Sequence, residues 1–241
     1  MKQDASRLVM CMVLSMLLAV VVRESLSTQT QQASYPSMAP LSQYLMANRD
    51  DEIALARSAA PAAISGHAKI LVLGPHGFVT AVEGTNGFVC MVDRSWMSEF
   101  DSKEFWNPHM RGPICLNPQA VPSILPIAYK RTALALAGQS KDQILQALKA
   151  AFATQPLPPL APGAMSYMMS KQGYLNDSAV HWMPHLMFYT PVNADWGADQ
   201  PGSPVMLNTQ FHSAPESMNV FMVLAGKWSD GTAAPAMQRS R

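Results

Sequence analysis

Histidine and methionine form the densest group of potential metal ligands in one short segment of the chain. Two of each type occupy alternate positions, at His181, Met183, His185 and Met187. In a β-strand these residues would share one face, and thioether sulfur is a soft ligand that suits Cu(I). The spacing therefore suggests a copper site, whereas the spread of the 18 methionines along the whole chain favours ordinary packing.

The same histidines suggest a hydrolytic alternative. The base would be His181 or His185, the orienting carboxylate Asp177 or Asp195, and the nucleophile Ser178 or Ser166. Nothing in the spacing selects these residues over other serines, histidines and aspartates. The chain also contains no Gly-x-Ser-x-Gly, His-Glu-x-x-His, phosphate-loop or dinucleotide motif. The sequence therefore favours a protein without catalytic activity, and it calls for no cofactor.

A third group combines aromatic and basic side chains close to a cysteine. Its members are Arg94, Trp96, Trp106, His109 and Arg111. Aromatic walls with a few cations suit an anionic or aromatic ligand. The arginines could equally form surface pairs with carboxylates such as Asp93 and Glu99. A pocket for a small molecule at this group is the preferred functional interpretation, with binding to a protein partner as the other form of the same role.

The N-terminal segment has the pattern of a targeting signal. Basic residues Lys2 and Arg7 precede an apolar run of 15 residues, 8–22. This run is short for a membrane span, which needs about 20 residues, and it suits a secretory signal. We therefore predict a signal peptide over residues 1–27 and a periplasmic or secreted protein. The alternative is an uncleaved anchor, because Arg23 and Glu24 follow the apolar run directly.

Two cysteines, Cys90 and Cys115, remain after removal of such a signal. In an oxidising compartment, two cysteines in one chain most simply form a disulfide. Closing the loop between them would stabilise the fold by about 3 kcal/mol on the chain-entropy relation. The alternative is a reactive thiolate at Cys90, which would need a base nearby.

The charge balance excludes two classes of partner. The formal net charge is +1 for the whole chain, and residues 28–241 hold 14 basic and 14 acidic side chains. A neutral surface has no electrostatic attraction to nucleic acid or to anionic membranes. We therefore expect no nucleic-acid binding and no stable membrane association after removal of the signal.

The elements that must position these groups follow from hydropathy and turn residues. Residues 68–96 contain three apolar runs separated by glycine-rich turns, which predicts an antiparallel three-stranded meander. The clearest helix begins at Ser140 and ends near Phe152, with apolar residues three and four apart. Further strands are predicted at 185–190, 205–208 and 219–224.

Strands, then helices, then strands indicate the α+β class. We predict an antiparallel sheet of about five strands with helices packed on one face. The hydrophobic fraction of 49% and the charged fraction of 14% suit a single core. The domain would span 41–228, after a flexible leader at 28–40 and before a disordered tail at 229–241.

Overall fold

The computed structural model describes residues 35–177, 179, 181–211 and 214–235. The predicted signal peptide, residues 28–34 of the predicted leader and residues 236–241 of the predicted tail lie outside these ranges. The described residues contain four α-helices and eight strands that join in one mixed but mostly antiparallel sheet. The predicted α+β class is confirmed, whereas the predicted strand number is too low.

The helices are α1 (Arg49–Arg57), α2 (Ala62–Ser65), α3 (Val121–Leu136) and α4 (Lys141–Thr154). The strands are β1 (Lys69–Gly74), β2 (Gly77–Val82), β3 (Val89–Asp93), β4 (Gly112–Leu116), β5 (Met165–Met168), β6 (His185–Thr190), β7 (Val205–Asn208) and β8 (Asn219–Leu224). Their order across the sheet is β2-β1-β3-β4-β5-β6-β8-β7. The β1–β3 pair is parallel, and each of the others is antiparallel.

The predicted meander over 68–96 is wrong in the position of its third strand. Strands β1 and β2 form the expected hairpin, but β3 pairs in parallel with the other edge of β1. Every residue of β3 is buried, whereas β2 has exposed positions in its centre. An apolar strand gains more burial inside the sheet than beside the half-exposed β2. The connection passes close to β1 at Gly84, where a Cβ atom would lie only 2.1 Å from the Lys69 backbone nitrogen.

Strands β4 and β5 were not predicted from the sequence, and each has a physical reason. Pro113 made the segment around β4 look irregular, since proline removes a hydrogen-bond donor from a strand. The β4–β5 pairing covers only Cys115 and Leu116, so Pro113 has a paired strand on one side only, opposite Val92. Strand β5 has only four residues, and its sequence suits a short helix or a turn equally well.

Helices cover both faces of the sheet, which corrects the prediction of helices on one face. Alternate residues of the central strands belong to two different apolar clusters. On one face Ala56 of α1 packs with Cys90 and Val92. On the other face Met91 packs in the cluster that contains Ile127 of α3 and Ile144 of α4. Because β3 is apolar on both sides, a single helical layer would leave one of its faces in water.

The predicted disulfide is present. Cys90 of β3 and Cys115 of β4 lie directly opposite each other in the sheet and are bonded. Both are fully buried in the cluster under α1. The bond therefore joins two neighbouring central strands whose cysteines are 25 residues apart in sequence.

The described parts of the predicted leader and tail contact the domain. Tyr35 donates a hydrogen bond to Asp177, with 2.7 Å between the oxygens. Ser229 donates from its backbone to Met169, and the Ala234 backbone donates to Gly226. Ser229 and Ala234, which belong to the predicted tail, are thus hydrogen-bonded to other described residues. Within the described ranges, no helix is both long enough and apolar enough to cross a bilayer.

Candidate functional site

A cavity of about 360 Å³ lies between the sheet and α3, and nine methionines of the described residues line it. Five of them come from strands, at Met91, Met168, Met187, Met206 and Met222. The other four, Met97, Met110, Met183 and Met218, lie in connecting segments. Half of the methionines in the chain therefore converge on one place, although the sequence spreads them widely.

Strand register explains how distant methionines meet. Met168 lies opposite His185, and Met187 lies opposite Met222. Met222 in turn lies opposite Met206 on the edge strand β7. Residues opposite each other in neighbouring strands present their side chains on the same face. A continuous row of thioethers therefore runs across β6, β8 and β7 and forms part of the cavity floor.

The opposite wall is apolar and includes a large indole. Ile124, Ile127 and Ala128 of α3 line the cavity, and Trp182 closes one side. Trp182 fits because glycine occupies a neighbouring position: a Cβ atom on Gly173 would lie 2.5 Å from its ring. The indole Nε1 of Trp182 is buried without a hydrogen-bond partner among the described residues. It is thus a buried donor that no described residue uses.

Asp93, the last residue of β3, brings a carboxylate to the cavity. Its cross-strand neighbour is Gly112, which has no side chain to pair with it. The Oδ1 atom is buried and has no hydrogen-bond partner in the described part of the chain. Burial raises the pKa of Asp93 to about 7, although Arg94 and Arg131 act in the opposite direction.

His185 contributes a neutral imidazole. Its Nδ1 lies 2.7 Å from the Met183 carbonyl oxygen, which can only accept, so Nδ1 carries the proton. In the neutral ring this leaves Nε2 as an acceptor. Burial lowers the pKa of His185, with the Met183 bond acting in the opposite direction. The histidine therefore supplies a hydrogen-bond acceptor or a metal ligand, not a positive charge.

Three of the four predicted copper ligands line the cavity, namely Met183, His185 and Met187. His181 is exposed, and its Nδ1 lies 2.8 Å from the Gly173 carbonyl. Strand β6 begins only at His185, so the alternation assumed from the sequence does not extend back to His181. In the described ranges, no group of three or more His, Cys, Asp or Glu side chains could hold a metal. Copper binding stays a prediction, based on methionine sulfur.

The five residues predicted to bind a ligand do not line this cavity. Arg94 is fully buried and paired with Glu52 at 2.8 Å, so it does not form the surface pair that the sequence suggests as the alternative. Trp96 is also fully buried and donates from Nε1 to Thr132. Trp106 is in the core, His109 is exposed, and Arg111 donates to the carbonyls of Pro108, Met110 and Gln43. Arg94, Trp96 and Arg111 therefore make internal hydrogen bonds, and the ligand site at these five residues stays a prediction.

The residues of the hydrolytic alternative make other contacts. Ser166 is buried and its Oγ lies 2.9 Å from the Tyr189 hydroxyl. Asp177 accepts hydrogen bonds from Tyr35, Tyr174 and Asn107, and these bonds lower its pKa. Asp195 accepts from the Gly197 backbone. Ser178 lies outside the described residues. No serine–histidine–carboxylate relay connects the described members of this set.

Sequence reasoning missed the most distinctive polar group of the cavity. The sequence suggests Asp93 only as a surface partner for arginine, yet Asp93 follows four consecutive apolar residues, 89–92. A carboxylate that ends a fully apolar strand is a signal for a buried acid. Trp182 was also missed, because only the packing against Gly173 shows where it points.

Comparisons with known proteins found no relative of this chain. The chain shows no significant match to a protein-family model, to a curated protein or to a solved structure. The interpretation of the methionine-lined cavity therefore depends on its own geometry and chemistry.

Proposed function

We propose that this is an exported binding protein that holds a small, largely apolar molecule in the methionine-lined cavity. The observation that carries the proposal is a cavity of about 360 Å³ with apolar walls and a few polar groups, Asp93, His185 and Trp182. This volume and composition are typical of small-molecule sites. Methionine is flexible and polarisable, so such walls adapt to the shape of an occupant.

Export is supported by the disulfide between Cys90 and Cys115 and by the signal-like N-terminal pattern. Binding is preferred to catalysis because the polar groups of the cavity lack the arrangement that activates a nucleophile. Ser166, a nucleophile of the hydrolytic alternative, is hydrogen-bonded to a tyrosine and not to a base. The proposed role is therefore the capture or carriage of a ligand.

Filling the cavity should abolish binding. Ala128 is fully buried and lines the cavity from α3. Ala128→Phe places a ring in the space that the ligand needs, so we expect at least a roughly tenfold loss of affinity, or about 1.4 kcal/mol. The measurement is the saturable fluorescence increase of N-phenyl-1-naphthylamine, a neutral apolar probe, with full-length protein kept free of reductant.

The matched control for this experiment is Ala133→Phe, an exposed position of the same helix. It adds the same ring outside the cavity and should leave probe binding unchanged. Near-ultraviolet circular dichroism checks that both variants keep native packing. Equal affinity of wild type and folded Ala128→Phe protein would show that the probe binds elsewhere.

A second candidate function is the binding of Cu(I) in the same cavity. It is favoured by one observation, that His185 lies among nine methionines, including its neighbours Met183 and Met187. Soft thioether and imidazole ligands suit Cu(I). We expect His185→Ala to lower Cu(I) affinity by roughly tenfold or more, measured anaerobically by competition with bathocuproine disulfonate.

His181→Ala is the control for the copper experiment, since His181 is exposed and does not line the cavity. It should leave Cu(I) affinity unchanged. An equal loss in both histidine variants, or no stoichiometric uptake by the wild type, would exclude the copper function.

A further inference from the structure

The charges around the cavity are unbalanced. Among the described residues that line it, Asp93 and Glu99 are acidic, while none is lysine or arginine. His185 also lines the cavity, where it is buried and donates from Nδ1 to the Met183 carbonyl. The lining therefore favours a cation and disfavours an anion, which is the reverse of the preference inferred from the sequence for the group around Arg94.

The two buried arginines near Asp93 are already paired. Arg94 lies 2.8 Å from Glu52, and Arg131 lies 2.8 Å from Glu216. Both guanidinium groups are fully buried and donate further to backbone carbonyls. Asp93 forms no ion pair with any described residue, and its Oδ1 accepts no hydrogen bond from them. One buried carboxylate is thus left without a counter-ion at the edge of an apolar cavity.

A buried carboxylate without a partner destabilises the folded protein. A ligand that neutralises this charge removes the penalty, and its binding free energy becomes more favourable by that amount. An ammonium group supplies both the opposite charge and the hydrogen-bond donors that Oδ1 lacks. The aromatic rings of Trp182 and Tyr189 also line the cavity and can attract a cation through their faces. Carboxylate and rings together form an environment that suits a positive charge.

We propose that the cavity binds an organic amine, with its ammonium group at Asp93 and its apolar chain along the methionines. This inference rests on the proposed binding function and names the class of ligand. The lining reaches from Asp93 on β3 to Met206 on β7, across six neighbouring strands. At about 4.8 Å per strand these two backbones are roughly 24 Å apart, so the cavity suits an elongated chain whose charge is at one end.

The test compares three ligands that share one chain and differ only in the head group. Octylamine, 1-octanol and octanoate are titrated into full-length, oxidised protein at pH 8 by calorimetry, below their micellar concentrations. Octylamine should bind at least roughly tenfold more tightly than 1-octanol, and octanoate should bind more weakly than 1-octanol. In Asp93→Asn protein, octylamine should bind no more tightly than 1-octanol.

Asp101→Asn is the matched control, because it removes an exposed carboxylate that does not line the cavity. It should change octylamine affinity by less than about twofold, since exposed charges are screened by solvent. Equal affinity for octylamine and 1-octanol in the wild type would overturn the amine inference while the binding function stands. A preference that survives in Asp93→Asn would also overturn it. Failure of all three ligands, together with failure of the naphthylamine probe, would overturn the binding function itself.

Discussion

Glu52→Gln should lower the free energy of unfolding by about 3–5 kcal/mol, because it removes one partner of a buried ion pair. Glu52 and Arg94 lie 2.8 Å apart, and their side chains are 3% and 0% exposed. The substitution leaves a guanidinium charge in the core without a counter-ion. Arg94 also donates to the carbonyls of Tyr44 and Val92, so it cannot turn towards water without breaking these bonds.

Glutamine is the right replacement because it preserves the shape of the side chain. The backbone nitrogen of Leu73 also donates to Glu52 Oε1, at 3.1 Å, and the amide oxygen of glutamine can still accept this bond. The expected loss therefore reports the charge and not a cavity. Urea unfolding of oxidised protein, followed by tryptophan fluorescence, measures it.

The control for this substitution is Asp51→Asn on the same helix, where the carboxylate is exposed. Exposed charges contribute little, so its effect should stay within about 0.5 kcal/mol. A loss below about 1 kcal/mol in Glu52→Gln would contradict the prediction and would mean that Arg94 reaches solvent.

Asp93→Asn should have the opposite effect and stabilise the empty protein above pH 7. Burial raises the pKa of Asp93 from 3.8 to about 7. Each pKa unit corresponds to about 1.4 kcal/mol, so ionising this group in the folded state costs about 4 kcal/mol relative to the unfolded chain. Asparagine carries no charge and avoids this cost.

The sign of the pH dependence follows from proton binding. Between pH 3.8 and about 7 the folded protein holds a proton on Asp93 that the unfolded chain has released. The Asp93 contribution to stability therefore falls as pH rises through this window and becomes constant above it. His185 acts in the opposite direction, since its lowered pKa makes the folded state lose stability as pH falls below 6.5.

The difference between wild type and Asp93→Asn isolates the aspartate, because His185 is present in both proteins. This difference should grow by about 3 kcal/mol between pH 5 and pH 8 in urea unfolding experiments, in favour of the variant. The control Asp101→Asn removes an exposed carboxylate and should follow the wild type. A constant difference across this pH range would mean that Asp93 is already ionised and paired at pH 5.

These two effects of Asp93→Asn connect stability with the proposed function. The variant should be more stable when empty and should lose its preference for an amine. A binding site often contains a charged group that lowers the stability of the ligand-free protein, because the ligand supplies the missing partner of that group. By contrast, the Glu52–Arg94 pair is complete without any ligand and serves only the fold.

Local sequence patterns were sufficient for several features. Helix α4 begins as predicted after Ser140, whose side chain accepts from Gln143 in a capping box. The hairpin of β1 and β2 follows from its glycine-rich turn. The disulfide followed from the count of cysteines in a chain with a signal-like N-terminal pattern. Each of these depends on residues close in sequence or on a choice with few alternatives.

The amino-acid sequence by itself thus determined the α+β class, the α4 helix, the first hairpin and the cysteine pair. Only the tertiary structure decided that β3 lies beside β1, that Arg94 is buried against Glu52, and that nine methionines and Asp93 line one cavity. Alternation along a strand indicates which residues share a face, but it does not indicate which strand becomes the neighbour. The strand order depends on the total apolar surface that is buried across the sheet. Residues far apart in the chain contribute to that surface, so no local pattern determines the order.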